Sequence, residues 1–140
     1  MNKEALQSIE FEIATLIRRI NASNKKAGSL DRSAYLLLHH ISSYGSAGVK
    51  ALSEDFRLDI STVSRQAAAL EQKGYVTRHP DPTDGRAFSL AITELGMKEL
   101  LETREQRQAL VARRIEDWPE EESLLFGQLL RKFNDSLMKE

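Results

Sequence analysis

The sequence predicts a mainly α chain with a small β-hairpin, ordered helix, helix, helix-turn-helix, hairpin, long helix, helix. Three observations carry that expectation. Apolar residues recur at spacings of three and four along most of the chain, the period of an amphipathic helix. Two alternating runs, YVTRH and RAFSLAI, interrupt that period once, on either side of the loop HPDPTDG. The chain has 140 residues, no cysteine, and hydrophobic and charged fractions of 41% and 29%. That suits one unit with helical extensions and rules out a disulfide framework.

The first helix is read from Leu6, Ile9, Ile13, Leu16, Ile17 and Ile20. Glu10, Glu12 and Arg18 interrupt it, so it reads as neither a signal peptide nor a membrane span, and a cytoplasmic protein is expected. Lys25 and Lys26 in a last turn, with Gly28 beyond them, supply a stop. Asp31 or Ser29 then caps a second helix. Its run YLLLHHI is apolar on most sides and belongs in the core, and Gly45 and Gly48 end it.

Two short helices follow. VKALSEDF carries Val49, Leu52 and Phe56 on one side, and RLD connects it to ISTVSRQAAALEQKG, a helix-turn-helix spacing. Asp59 is the expected N-cap of the second, and Gly74 its expected C-cap. Ile60, Val63, Ala67 and Leu70 should face inward. The opposite face carries Ser61, Arg65 and Ala68, with Thr62 and Ser64 on its flanks.

After the hairpin, Thr93 caps a long helix marked by Leu95, Leu100, Leu101, Leu110, Val111 and Ile115, expected to reach Trp118. Pro119 breaks it and opens a last helix. There Leu124, Leu125, Phe126, Leu129, Leu130, Phe133 and Leu137 form a wide apolar stripe. The terminal helices are apolar over more surface than one small domain needs, which marks an interface. The expected division is therefore an N-terminal dimerisation helix (1–28), a winged helix-turn-helix (29–92) and C-terminal dimerisation helices (93–140).

The net charge is −1, so any contact with nucleic acid must rest on locally placed cations. In this arrangement the helix at 60–73 fits a DNA major groove and the wing at 79–88 reaches the neighbouring minor groove. Arg86 meets the negative potential of that narrow groove. Asp84 is a poor phosphate partner but can hold the guanidinium in one orientation. The same pair on an ordinary hairpin would be a surface ion pair. Ser61 and Thr62 lie in a first turn, whose free N–H groups favour phosphate. Arg65 is the cation of the exposed face and suits a guanine. Arg78 and Lys50 suit phosphates or solvent about equally. Ala67, Ala68 and Ala69 leave mid-helix bare, which shifts specificity toward DNA shape.

Other classes are less well served. No G-x-S-x-G, P-loop, dinucleotide fingerprint or H-E-x-x-H occurs, so no catalytic residue is expected. His39 and His40 are adjacent on a helix and diverge by about 100°. With His79 as the only other histidine and no cysteine, no metal and no cofactor are expected. A winged helix that binds protein has no need of the Asp84–Arg86 pair.

Three stretches, in order, resemble the MarR (multiple antibiotic resistance regulator) family. Asp84, Arg86, Ile92 and Thr93 fall on its D-x-R-x5-L-T pattern, with Ile92 where Leu is usual and Gly96 following in place. STVSR at 61–65 matches the Ser/Thr-rich opening of the recognition helix, and LEQKGYVTR at 70–78 the L-x-x-K-G-x-[VI]-x-R junction into the wing. The resemblance implies a homodimer joined by its terminal helices. Such a dimer binds a pseudo-palindromic double-stranded DNA operator, usually as a repressor, and a small-molecule effector lowers its affinity by changing the distance between the recognition helices. It implies Arg86 in the minor groove with Asp84 orienting it, and Ser61, Thr62, Ser64 and Arg65 on base edges or phosphates. Effectors of the family are often small aromatic or phenolic acids in a cleft between the dimer helices and the winged domain. Tyr35, His39 and Arg18 suit such a cleft, though each also has a plain packing or surface reading. The lack of cysteine excludes the thiol-oxidation mechanism of one branch.

Overall fold

The helical and alternating periods sort into six helices and a small sheet among the described residues: α1 (Lys3–Ser23), α2 (Arg32–Tyr44), β1 (Ala47–Gly48), α3 (Val49–Phe56), α4 (Ile60–Gln72), β2 (Val76–Pro80), β3 (Phe88–Ile92), α5 (Glu94–Arg114) and α6 (Glu120–Ser136). The structure is a computed structural model and describes residues 1–23, 30–81 and 87–139. The mainly α, winged helix-turn-helix arrangement is present, with one addition. The hairpin belongs to a three-stranded antiparallel sheet ordered β1-β3-β2. Ala47 lies opposite Leu90 and Gly48 opposite Ser89. Two residues are too few to show an alternation, so β1 has no signature in the sequence.

The caps explain where the helices stop. The Asp31 carboxylate accepts the Ala34 N–H at 2.8 Å and opens α2. Ser29, and the stop expected at Lys25, Lys26 and Gly28, lie outside the described residues. The α3–α4 turn passes through Arg57 in the left-handed region (φ 53°), where no glycine announces it. Asp59 holds the N-cap position of α4, but its side chain makes no capping bond. At the other end Gly74 takes φ 81°. Its N–H donates to the Glu71 carbonyl and that of Tyr75 to the Leu70 carbonyl, each at 3.0 Å. These two bonds satisfy carbonyls the helix leaves open. The helix α5 ends at Arg114 rather than at Trp118, whose N–H closes a turn onto Ile115. Pro119 is the N-cap of α6.

The core draws Leu37, Leu38 and Ile41 from α2, Val49 and Leu52 from α3, Val63, Ala67 and Leu70 from α4, and Leu100 from α5. Val76 and Leu90 close it from the sheet. Ile60 departs from its expected place: it is 55% exposed. It begins the helix one turn before the first core contact, beside a cleft it shares with Lys50, Ser64 and Phe88.

One junction ties the recognition helix to the rest. The Thr93 hydroxyl accepts the Gly96 N–H at 3.0 Å and donates to the Gly74 carbonyl at 2.7 Å. An added Cβ on Gly96 would collide with the Tyr75 carbonyl oxygen and press on Ile92. Only glycine lets α5 start this close to the strand.

Candidate nucleic-acid interface

Burial of Val63, Ala67 and Leu70 fixes the opposite side of α4 outward. Ser61, Arg65, Ala68 and Gln72 are exposed, and Thr62, Ser64 and Gln66 are half-buried. Arg65 donates from Nη2 to the Thr62 hydroxyl at 3.4 Å, a long bond that engages one of five guanidinium donors. Ser61 and Thr62 sit in the first turn, whose N–H groups have no acceptor within the helix. Since Asp59 does not cap them, that turn presents donors and the positive end of the helix dipole. Lys50 is exposed in the first turn of α3, across the cleft from Ile60 and Ser64. Glu54 and Asp81 also border this cleft, so it is not uniformly cationic.

Arg78 stands apart from these. Its Nε lies 3.3 Å from a Glu71 carboxylate oxygen, and its guanidinium lies 3.7 Å from the Phe88 ring centroid. It therefore ties the last turn of α4 to both wing strands. Asp84 and Arg86, the other two site residues read from the sequence, lie outside the described residues.

The histidines are occupied in packing and polar contacts. The His40 Nε2 shares a 3.0 Å hydrogen bond with Asp55, and its ring lies between Tyr44 and Phe56. That arrangement clamps α2 to α3. His79 shares a 2.8 Å hydrogen bond with Thr77 on the exposed face of β2. Among the described residues, no group of three or more acidic or histidine side chains is placed to hold a metal ion. Nor is any helix among them long and apolar enough to cross a membrane.

A second site-like feature lies between α2 and α5. Tyr35, Arg104, Arg107, Gln108, Val111 and Ile115 border a cleft of about 370 Å³. Arg107 lies 4.6 Å from the Tyr35 ring centroid and donates to the Leu30 carbonyl at 2.9 Å. Arg104 donates to the His39 Nδ1 at 2.9 Å. Of the cleft residues suggested by the sequence, Tyr35 lines this one, His39 reaches it through Arg104, and Arg18 is not part of it. Arg104 and Arg107 went unnoticed in the sequence. Their i, i+3 spacing on one helix face was the available signal.

This geometry has close relatives. Residues 30–88 match the model of the MarR family. Over 140 residues the chain is 41% identical to the uncharacterized HTH-type transcriptional regulator YxaD of Bacillus subtilis, covering 98% of each chain. The chain belongs to the MarR family. It is also 26% identical over 133 residues to the HTH-type transcriptional repressor MdtR of Bacillus subtilis, covering 92% of this chain and 85% of that one. In fold it is similar to a MarR family protein from Bacillus stearothermophilus, with a TM-score of 0.81, 22% identity and 99% of both chains covered. As a MarR-family chain it is a DNA-binding transcriptional regulator with a winged helix.

Proposed function

We propose that the chain works as a cytoplasmic homodimeric repressor that binds a pseudo-palindromic operator and is released by a small-molecule effector. The observation that carries this reading is exposed Ser61 on the uncapped first turn of α4 and exposed Arg65 one turn on, flanked by half-buried Thr62 and Ser64, with Lys50 across the cleft. In this reading α4 enters the major groove. Ser61, Thr62 and Ser64 meet phosphates or base edges, and Arg65 meets a guanine. The wing enters the minor groove, with Arg86 as its inserted cation and Asp84 orienting it. The apolar stripes of α1 and α6 meet their counterparts in a second copy, which sets half-sites about one helical turn, or roughly 10 bp, apart. Similarity to MdtR, a named repressor, favours repression. The cleft beside Tyr35, Arg104 and Arg107 is the effector site of this reading, suited to a small aromatic anion.

The test is selection of genomic fragments by the purified protein, then titration of the best fragment over a range of salt. An inverted repeat should emerge, with affinity falling steeply as salt rises. Arg65→Ala and Arg86→Ala should each weaken binding about tenfold or more while the protein stays dimeric. Absence of any enriched fragment, with weak binding indifferent to Arg86→Ala, overturns the reading.

A further inference from the structure

The middle of the recognition helix carries information of its own. Ser61, Arg65, Ala68 and Gln72 are all exposed. At i, i+4, i+7 and i+11 they form one straight row along the outer face. With 1.5 Å of rise per residue, Ala68 lies about 4.5 Å beyond Arg65, roughly one base step along a groove. Ala69, also exposed, flanks Ala68 on the side of Arg65. The helix therefore offers a guanidinium, then a bare methyl.

A methyl group offers neither donor nor acceptor. Only one base edge in the major groove complements it by contact alone, the C5 methyl of thymine. Against cytosine the same surface meets an amino donor that it cannot satisfy, and a desolvated, unpaired donor is costly. We infer that Ala68 is a specificity-determining residue, reading the thymine methyl one step beyond the guanine held by Arg65. The inference rests on the DNA reading proposed above and replaces the expectation that the alanines leave base readout to DNA shape. The order along each half-site is then fixed: guanine under Arg65, thymine under Ala68.

The experiment deletes the methyl from the DNA and leaves the protein unchanged. In the selected fragment each thymine is replaced singly by deoxyuridine, and the affinity of the full-length dimer is measured. One thymine per half-site, next to an essential guanine, should be sensitive, with a loss of about fourfold, the worth of one buried methyl-sized group. Ala68→Gly should abolish that sensitivity. The readout is a ratio between two DNAs for one protein, so a lower helix stability in the variant cancels. Ala68→Ser keeps the helix and should reduce the preference for thymine over uracil. Tolerance of uracil at every thymine overturns the inference while DNA binding stands, and so does a full uracil penalty in Ala68→Gly. If no fragment is selected at all, the DNA reading beneath it fails too.

Discussion

The winged unit and the terminal helices use the same residue types to opposite ends. In the winged unit Leu38, Leu52 and Leu90 are completely buried. In α1 and α6, Ile9, Leu16, Leu129 and Phe133 are between 42% and 51% exposed. No residue of α6 is buried. Leucine prefers burial in either place, so the difference is one of available partners. The winged unit closes its core from α2, α3, α4 and the sheet together with the first half of α5, through Leu100. In the proposed homodimer the terminal helices form half of a core, and a second copy supplies the other half. That reading assigns folding and assembly to separate stretches, so each should break without the other.

The largest effect should come from breaking assembly. Leu129→Glu places a carboxylate in the α6 stripe, and a two-fold axis puts it there twice. An uncompensated buried charge costs several kcal/mol, so dimer affinity should fall more than 100-fold. Light scattering should then report 15.8 kDa where the parent chain should give twice that. Far-UV circular dichroism should still show a helical protein. An unchanged mass would place the interface elsewhere.

Leu38→Ala should do the reverse. It removes a fully buried side chain from the middle of α2 and should cost about 3 kcal/mol of stability, seen as an earlier denaturant midpoint. At concentrations where the chain stays folded, the dimer mass should persist. Loss of the dimer under native conditions would show that winged core and interface are coupled.

The same contrast explains what the sequence could tell. The winged unit was legible because its residues answer to one another nearby. Asp31, Gly74, Thr93 and Gly96 each solve a local backbone problem with the residue type that problem demands. The departures fall where tertiary context decides. Ile60 has the inward spacing but starts its helix before the core begins. Arg57 turns left-handed to close the end of α3, its N–H donating to the Glu54 carbonyl and that of Leu58 to the Ser53 carbonyl, and an arginine gives no signal of such a turn. Asp59 sits at the cap and leaves the first turn open, where a DNA phosphate is expected. On the outer face of α4 the exposure of Ser61, Arg65 and Ala68 is legible from helical period alone. The tie from Arg78 to Glu71 and Phe88 was not, because it joins a helix end to a strand the period treats separately.

That tie supports a finer prediction, within the winged unit itself. A cation held by its own protein should position the wing, whereas an open cation such as Lys50 should neutralise phosphate. Salt titration separates the two. Each phosphate contact contributes about 0.9 to the slope of log affinity against log salt, so a two-fold complex loses about 1.8 when one such cation is removed from each subunit. Lys50→Ala should show that loss. Arg78→Met should leave the slope unchanged and lower affinity by no more than about fivefold, since an exposed ion pair is worth at most about 1 kcal/mol. Glu71→Gln decides the matter by sign. If Arg78 positions the wing, removing its anchor weakens DNA binding. If Arg78 instead contacts phosphate, removing a nearby negative charge frees it and strengthens binding.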